Sequence, residues 1–395
     1  MNLSYRVASR LKTARLNVSF HDGNRSSAAE SSVFMPPCSG PVRRAVIFLV
    51  AISITCFVLY RSADSLHTVP GSSSSIFSRI FPSFEAFKSL ELEEPKLEDV
   101  LRRAATRDNT VILTTLNEAW AAPGSVIDLF FESFGIGEGT STLLNHLVII
   151  ALDDKAYSRC RELHKHCFSL ETEGVDFSRE AYFMTRSYLK MMWRRIDFLR
   201  SVLEMGYNFV FTDADVMWFR NPFPRFYRYA DFQIACDHYL GRSNDLENRP
   251  NGGFSFVRSN NRTILFYKYW YASRIKYAGY HDQDVLNFIK SEPFVFRIGL
   301  RIRFLNTAYF GGLCEPSKDM NLVRTMHANC CFGMDSKLND LRIMLQDWRD
   351  FMALPLHLKQ SSGFSWKVPQ NCLDSLRRYD SMDEEESEKP GESQE

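Results

Sequence analysis

Apolar segments that alternate between strand-like and helix-like patterns are the feature that most constrains how this chain folds. Short apolar runs that favour buried strands occur at 111–116, 146–152 and 209–212. Helical periodicity is found between and beside them at 126–134, 156–166 and 183–205. This alternation predicts an α/β fold with a largely parallel sheet. Ligands in such folds bind beyond the carboxyl ends of the strands.

The strand at 209–212 runs directly into two aspartates. In the segment "NFVFTDADVMWFRNPF", 208–223, the apolar run ends with Asp213 and Asp215. Residues i and i+2 of an extended chain point to the same side, so the two carboxylates would repel each other unless a cation lay between them. Mn²⁺ or Mg²⁺ holding a nucleotide diphosphate is one interpretation. A phosphatase with Asp213 as nucleophile, or a plain pair of capping aspartates, are two others.

Further polar residues lie next to apolar elements later in the chain. "RPNGGFSFV", 249–257, places Asn251 and two glycines before an apolar strand, and glycine lets a ligand approach the backbone closely. "YHDQDVLNFI", 280–289, begins a helix with Asp282, Gln283 and Asp284, where acids are also common caps. His327 follows a short strand, and histidine often completes a metal site that contains two carboxylates.

Taken in order, these segments resemble those of a known enzyme class. "KMMW", "FTDADVMW", "NGGFSFV", "DQDVLN" and the set of His327, Gly333 and Lys337 resemble retaining glycosyltransferases of the GT-A (Rossmann-like) fold. Residues 111–134 are similar to the first strand and helix of the plant nucleotide-diphospho-sugar transferase domain in glycosyltransferase family 77. The resemblance covers about residues 105–375. It implies a Golgi type II enzyme with a UDP-sugar donor and Mn²⁺.

The resemblance also implies roles for single residues. The metal ligands would be Asp213, Asp215 and His327, of which Asp213 also contacts the nucleotide. The base would lie over Thr114, Thr115 and Leu116. The diphosphate would be neutralised by Lys337 and by Lys190, or by Arg194 one helical turn later. The donor sugar would be lined by Asn251 and Gly253, with Asp282 and Gln283 at its reacting face.

The two ends of the chain predict a membrane-anchored organisation. A basic tail, 1–44, precedes an uncharged apolar stretch, 45–60, that is interpreted as a transmembrane signal anchor rather than the core of a cleaved signal peptide. A Ser/Pro-rich stem, 61–105, and a glycosyltransferase domain, 106–375, would then be lumenal. The acidic end, 376–395, is expected to be a disordered tail.

Seven cysteines follow the anchor, which predicts some disulfides and one remaining thiol in an oxidising lumen. Cys160 and Cys167 are expected not to pair, because seven residues of a regular helix rise about 10.5 Å. The sequon at Asn261 is the one lumenal N-glycosylation motif.

The function expected from sequence is therefore transfer of a sugar, with retention, to a cell-wall glycan or glycoprotein. Two alternatives stay open: a lumenal phosphatase that uses Asp213, and a non-catalytic anchored scaffold or glycan-binding module. The net charge of +1 argues against a general nucleic-acid binder.

Overall fold

The computed structural model describes residues 95–172, 174–179, 184–361 and 363–378. The expected basic tail and membrane anchor lie outside these residues, as do most of the stem and the acidic segment from 379 onward. In the part of the chain that is described, no helix is both long and apolar enough to cross a bilayer.

The elements alternate along the chain as the apolar pattern predicts. The strands are β1 (Thr110–Leu116), β2 (Leu147–Ala151), β3 (Cys167–Ser169), β4 (Asn208–Thr212), β5 (Val216–Trp218), β6 (Phe232–His238), β7 (Arg249–Val257), β8 (Ile302–Phe304), β9 (Phe310–Gly312) and β10 (Thr325–His327). The α-helices are α1 (Leu97–Ala104), α2 (Glu118–Ala121), α3 (Val126–Ile136), α4 (Asp154–Leu163), α5 (Arg186–Glu204), α6 (Asn261–Lys276), α7 (Asp282–Ile289), α8 (Pro293–Arg297), α9 (Met334–Ala353) and α10 (Leu356–Gln360). Residues 371–378 are also helical.

A seven-stranded sheet with the order β3-β2-β1-β4-β7-β6-β8 forms the centre of the domain. Strands β3, β2, β1 and β4 are adjacent in the sheet and parallel to one another, and β8 is parallel to β6. Only β7, which carries the two glycines, runs antiparallel to both of its neighbours. A smaller sheet has the order β5-β10-β9. The predicted α/β class with a largely parallel sheet is thus confirmed.

Apolar side chains cover both faces of the main sheet. Ile112 and Val210 belong to one apolar cluster, together with Phe130 and Phe134 of α3. Their neighbours along the strands, such as Val111 and Phe209, belong to a second cluster on α5 and α6. A strand that is buried on both faces needs apolar residues at every position, which explains the continuous runs in the sequence.

The folded domain extends beyond both boundaries that were expected from sequence. Helix α1 was assigned to the stem, but its Val100, Leu101 and Ala104 are buried in the apolar cluster that covers the sheet. At the other end, residues 376–378 continue the helix at 371–378 instead of starting a tail. Amphipathic helices pack wherever they can bury an apolar face, and composition alone did not reveal that these two segments do so.

The prediction that Cys160 and Cys167 do not pair is wrong. Helix α4 ends at Leu163 rather than at residue 166, and His164 is extended. The chain therefore turns back into β3, and the Cα atoms of the two cysteines are 6.0 Å apart in a disulfide. Two other disulfides are Cys314–Cys330 and Cys331–Cys372, and Cys236 is free. The expectation of disulfides with one remaining thiol is confirmed.

Candidate functional site

The three predicted metal ligands lie together beyond the end of β4. Asp213 and Asp215 follow this strand, and His327 is the last residue of β10. The antiparallel pairing of β10 with β5 puts His327 opposite Val216, the residue after Asp215. One potential ligand atom from each of the three side chains lies within 4.8 Å of the others. Together they could hold one divalent cation.

Two features of this trio fit such a cation. The buried Oδ1 atom of Asp215 has no hydrogen-bond partner, although Nε2 of His327 is 3.1 Å away. Gly253 leaves room for the ligands, because a Cβ atom there would lie 2.4 Å from Cε1 of His327 and 2.7 Å from Oδ2 of Asp213. Carboxylate oxygens and an imidazole nitrogen suit Mn²⁺ better than a soft metal ion.

Cationic side chains flank the two aspartates. Lys337, in the first turn of α9, forms an ion pair with Asp215, and Arg195 of α5 lies 3.0 Å from Asp213. Burial acts to raise the pKa of Asp215, but Lys337 and His327 outweigh it and hold that pKa below its ordinary range. Burial raises the pKa of Asp213 above its ordinary value despite Arg195. Opposite shifts are expected where two like charges share one desolvated site.

Arg195 joins the aspartates to the start of α7. Its Nη1 donates to Oδ1 of Asp213 at 3.0 Å, and its Nη2 donates to Oδ2 of Asp282 at 2.7 Å. The guanidinium lies 4.9 Å from the ring centre of Phe211, and the side chain is 7% exposed. Burial acts to raise the pKa of Asp282, but Arg195 and His281 together outweigh it, and the pKa is about 2. Asp282 therefore carries a paired charge.

Gln283, the next residue of α7, is held at both ends of its amide group. Its Oε1 accepts a hydrogen bond from the backbone N–H of Gly252 at 2.8 Å. Its Nε2 donates to Oδ2 of Asp237, at the end of β6, at 2.9 Å. Burial raises the pKa of Asp237 above its ordinary value. Contacts with Gly252 and Asp237 therefore fix the orientation of the Gln283 side chain.

These groups open into one cleft with a volume of about 540 Å³. The predicted site residues that line it are Thr115, Asp213, Asp215, Asn251, Gly253, Asp282, Gln283, His327 and Lys337. Most of the residues that were grouped from separate sequence motifs are thus brought together. Gly253 lies against two of the predicted metal ligands, His327 and Asp213, whereas the resemblance had assigned it to the donor sugar.

Four of the residues considered from sequence do not line the cleft. Thr114 and Leu116 are buried within the sheet. Lys190 is exposed on α5, and Arg194 bonds to Thr172 instead. Neither Lys190 nor Arg194 therefore lines the cleft, and a contact of either with the diphosphate stays a prediction. Arg195 reaches the aspartates, since it lies on the buried face of α5.

Sequence reasoning missed Arg195, Asp237 and Asn329 as members of the site. Arg195 shares the helical spacing of the buried Met192 and Leu199, which was a usable signal. Asp237 follows the apolar run of β6 just as Asp213 follows that of β4. Asn329 gave no signal, because it lies in irregular chain two residues after a strand of only three residues.

Comparison with known proteins agrees with this geometry. Residues 142–341 match the family model described as nucleotide-diphospho-sugar transferase. The uncharacterized Arabidopsis thaliana protein At4g15970 is 51% identical over 281 residues, which cover 70% of this chain and 74% of that protein.

Two more distant relatives have names that state an activity. Beta-arabinofuranosyltransferase RAY1 of Arabidopsis thaliana is 27% identical over 124 residues, 30% of this chain and 23% of that protein. UDP-galactose:fucoside alpha-3-galactosyltransferase of Dictyostelium discoideum is 36% identical over 72 residues, 16% of this chain and 10% of that protein. The family match extends over half of the sequence and includes both aspartates and His327, and this chain belongs to the nucleotide-diphospho-sugar transferase family.

Proposed function

We propose that the protein is a Golgi type II membrane glycosyltransferase with a GT-A-like domain. It would move a sugar from a UDP-sugar to a cell-wall glycan or glycoprotein, with a divalent metal and with retention of configuration. The observation that carries the proposal is the trio of Asp213, Asp215 and His327, which shares one cleft with Asp282 and Gln283 in a chain of this family.

The leaving group of the reaction would be UDP, whose diphosphate gains negative charge as the glycosidic bond breaks. Asp213, Asp215 and His327 would hold Mn²⁺ or Mg²⁺, which supplies Lewis acidity and charge neutralisation for the diphosphate. Lys337 lies beside Asp215 and adds a second positive charge on the same side. Thr115 is the cleft residue of β1 on the side proposed for the base.

The side chains near the reacting centre favour attack from the face of the leaving group. Asp282 is 1% exposed and ion-paired with Arg195, so it is a poor nucleophile. The acceptor oxygen would bond to the anomeric carbon while the bond from that carbon to the β-phosphate oxygen breaks. That phosphate oxygen takes the acceptor proton, and Gln283 orients the sugar. The alternative is a covalent sugar adduct on Asp282 or Asp284.

The proposed compartment has independent support. The three disulfides of the described domain are typical of proteins that fold in an oxidising lumen. The basic residues before the apolar stretch 45–60 favour an anchor with the domain on the lumenal side. Membership of the transferase family removes the reason to favour the phosphatase, which leaves a non-catalytic glycan-binding module as the second candidate.

Ligand binding by the purified full-length chain tests the proposal. Thermal unfolding is measured with Mn²⁺, UDP and a panel of UDP-sugars, which includes arabinofuranose and galactose because the names of two relatives specify these sugars. A ligand at a hundred times its Kd should add about 2.7 kcal/mol to the free energy of unfolding. Asp215→Asn should abolish this shift and turnover, whereas Asp350→Asn, at a half-buried position outside the cleft, should keep both.

Each result of this test has a defined meaning. Normal Mn²⁺-dependent turnover by Asp215→Asn would refute the site assignment. Donor binding without transfer to any glycan or peptide acceptor would favour the binding module. NMR of the first-formed product reads the anomeric configuration, and an inverted product would refute retention.

A further inference from the structure

Strand β6 contains an irregularity at the edge of the cleft. In its antiparallel pairing with β7, Cys236 lies opposite Pro250 and His238 lies opposite Arg249. Asp237 is therefore one extra residue on β6, without a partner of its own on β7. Such bulges change the direction of a side chain, and they occur frequently next to active sites. Here the bulge places the carboxylate of Asp237 in the wall of the cleft.

The carboxylate of Asp237 accepts hydrogen bonds from three side-chain amides. Its Oδ1 accepts from Nδ2 of Asn251 at 2.8 Å and from Nδ2 of Asn329 at 2.7 Å, and its Oδ2 accepts from Nε2 of Gln283 at 2.9 Å. An ionised carboxylate has no hydrogen to donate, so each amide must turn its NH₂ group toward Asp237. The oxygen of each amide then points elsewhere, in a defined direction.

For Asn251, that direction leads to a metal ligand. Its Oδ1 accepts a hydrogen bond from the backbone N–H of Gly253 at 2.9 Å and lies 3.0 Å from Nδ1 of His327. Because an amide oxygen can only accept, Nδ1 of His327 must carry the hydrogen in this contact. In the neutral ring the lone pair is then on Nε2, the atom that faces Asp215. Asp237 thus acts on His327 through Asn251.

The carboxylate of Asp237 also fixes the orientation of the Gln283 amide. With Nε2 bound to Asp237, Oε1 turns to the backbone N–H of Gly252. A reversed amide would put two donors together at Gly252 and an oxygen against a carboxylate. One side chain therefore orients both a metal ligand and the amide next to the reacting centre.

We propose that Asp237 is a positioning residue, which fixes the ring nitrogen that His327 presents to the metal and fixes the amide orientation of Gln283. The inference rests on the proposed function, because it assumes that the trio binds a divalent cation. It assigns no bond between Asp237 and the substrate or the metal.

Substitutions that keep the size of the side chain test this role in the full-length protein. Asp237→Asn places an amide among three amide donors, so at least one of them must turn away. The affinity for Mn²⁺, measured by calorimetric titration without donor, should fall by about 10- to 100-fold, as is usual when a group that orients a metal-bound histidine is lost. With excess metal, kcat should fall more than the KM for the donor changes, because Gln283 is misoriented.

A double exchange restores both the net charge and the donor–acceptor pairing of Asp237 and Asn251. Asp237→Asn combined with Asn251→Asp reverses the donor and acceptor on this pair but keeps an oxygen facing His327. It should recover most of the affinity for Mn²⁺. As a matched control, Asp231→Asn removes another carboxylate, next to the start of β6, that binds Arg262 and Arg301 outside the cleft. It should lower the melting temperature and leave metal affinity unchanged.

The outcomes separate this inference from the proposed function. Loss of affinity in Asp237→Asn with recovery in the double exchange supports the positioning role. Unchanged affinity in Asp237→Asn, or loss without recovery in the double exchange, refutes it while the proposed function stands. A wild-type protein that binds neither Mn²⁺ nor a UDP-sugar refutes the proposed function, and the inference fails with it.

Discussion

At the scale of single residues, the site depends on how closely its backbone and side chains approach each other at Gly253. The carbonyl oxygen of this glycine accepts from the backbone N–H of Asp213 at 2.7 Å, which joins β7 to the end of β4. The Cβ position faces both Asp213 and His327 at distances that no real Cβ atom tolerates. The absence of a side chain at this position is therefore what lets the proposed metal ligands converge.

This close approach makes a prediction for Gly253→Ala. The added methyl group should push His327 or Asp213 aside, at a cost of about 1–3 kcal/mol, which is about a 5- to 150-fold loss of affinity for Mn²⁺. Calorimetric titration measures this change. Gly135→Ala is the matched control, because a Cβ atom there has open space and should leave binding unaltered. If Gly253→Ala binds Mn²⁺ as tightly as the wild type, the ligand arrangement described above is wrong.

At the scale of elements, the connection from α4 to β3 contains His166, whose surroundings favour the neutral form of its ring. His166 is 6% exposed, and neither of its ring nitrogens has a hydrogen-bond partner within the described residues. Burial, with the nearby positive charges of His164, Lys165 and Arg103, lowers the pKa of His166 to about 4. The folded protein therefore keeps this ring neutral at a pH where the unfolded chain binds a proton.

The sign of the resulting pH dependence follows from linkage. Between pH 6.5, the ordinary pKa of histidine, and about 4, the unfolded state binds more protons at this position, so stability falls as the pH falls. His166→Phe should remove this contribution, and its unfolding free energy should decline less than that of the wild type over the same range. Urea unfolding at a series of pH values measures the difference. The exposed His357→Gln should keep the wild-type slope, and an equal slope for His166→Phe would contradict the prediction.

At the scale of the whole molecule, the proposed lumenal location of the domain makes a prediction for the sequon at Asn261. Asn261 is the exposed first residue of α6, directly after the capping residue Asn260, and it begins the sequon Asn261-Arg262-Thr263. An attached glycan would extend into solvent from this position.

Protease protection in sealed microsomes would test the topology. We expect residues after 61 to resist protease until detergent opens the vesicles, and an N-terminal tag to be removed. Glycosidase treatment should increase gel mobility in the wild type and have no effect on Asn261→Gln. Digestion of the domain in intact vesicles would refute the lumenal assignment.

Local features of the sequence were enough to predict the fold class and most of the cleft. The runs at 111–116 and 209–212 have apolar residues at almost every position because both faces of their strands are covered. A pair of aspartates directly after a buried strand indicates a ligand site, because a strand end and its polar residues are adjacent in the chain. Asp213 and Asp215 could be found for this reason, whereas Asn251 and Gln283 were found through the resemblance to the transferase family.

Tertiary structure alone decided the features that depend on direction and on where an element ends. Lys190, Arg194 and Arg195 lie within six residues, and only the packing of α5 on the sheet decided that Arg195 faces the aspartates. The end of α4 at Leu163 made the Cys160–Cys167 disulfide possible. The bulge at Asp237 arises from pairing with a strand that is distant in sequence. The direction of a side chain and the end of an element depend on contacts with residues that are distant in sequence. Local sequence patterns do not contain this information.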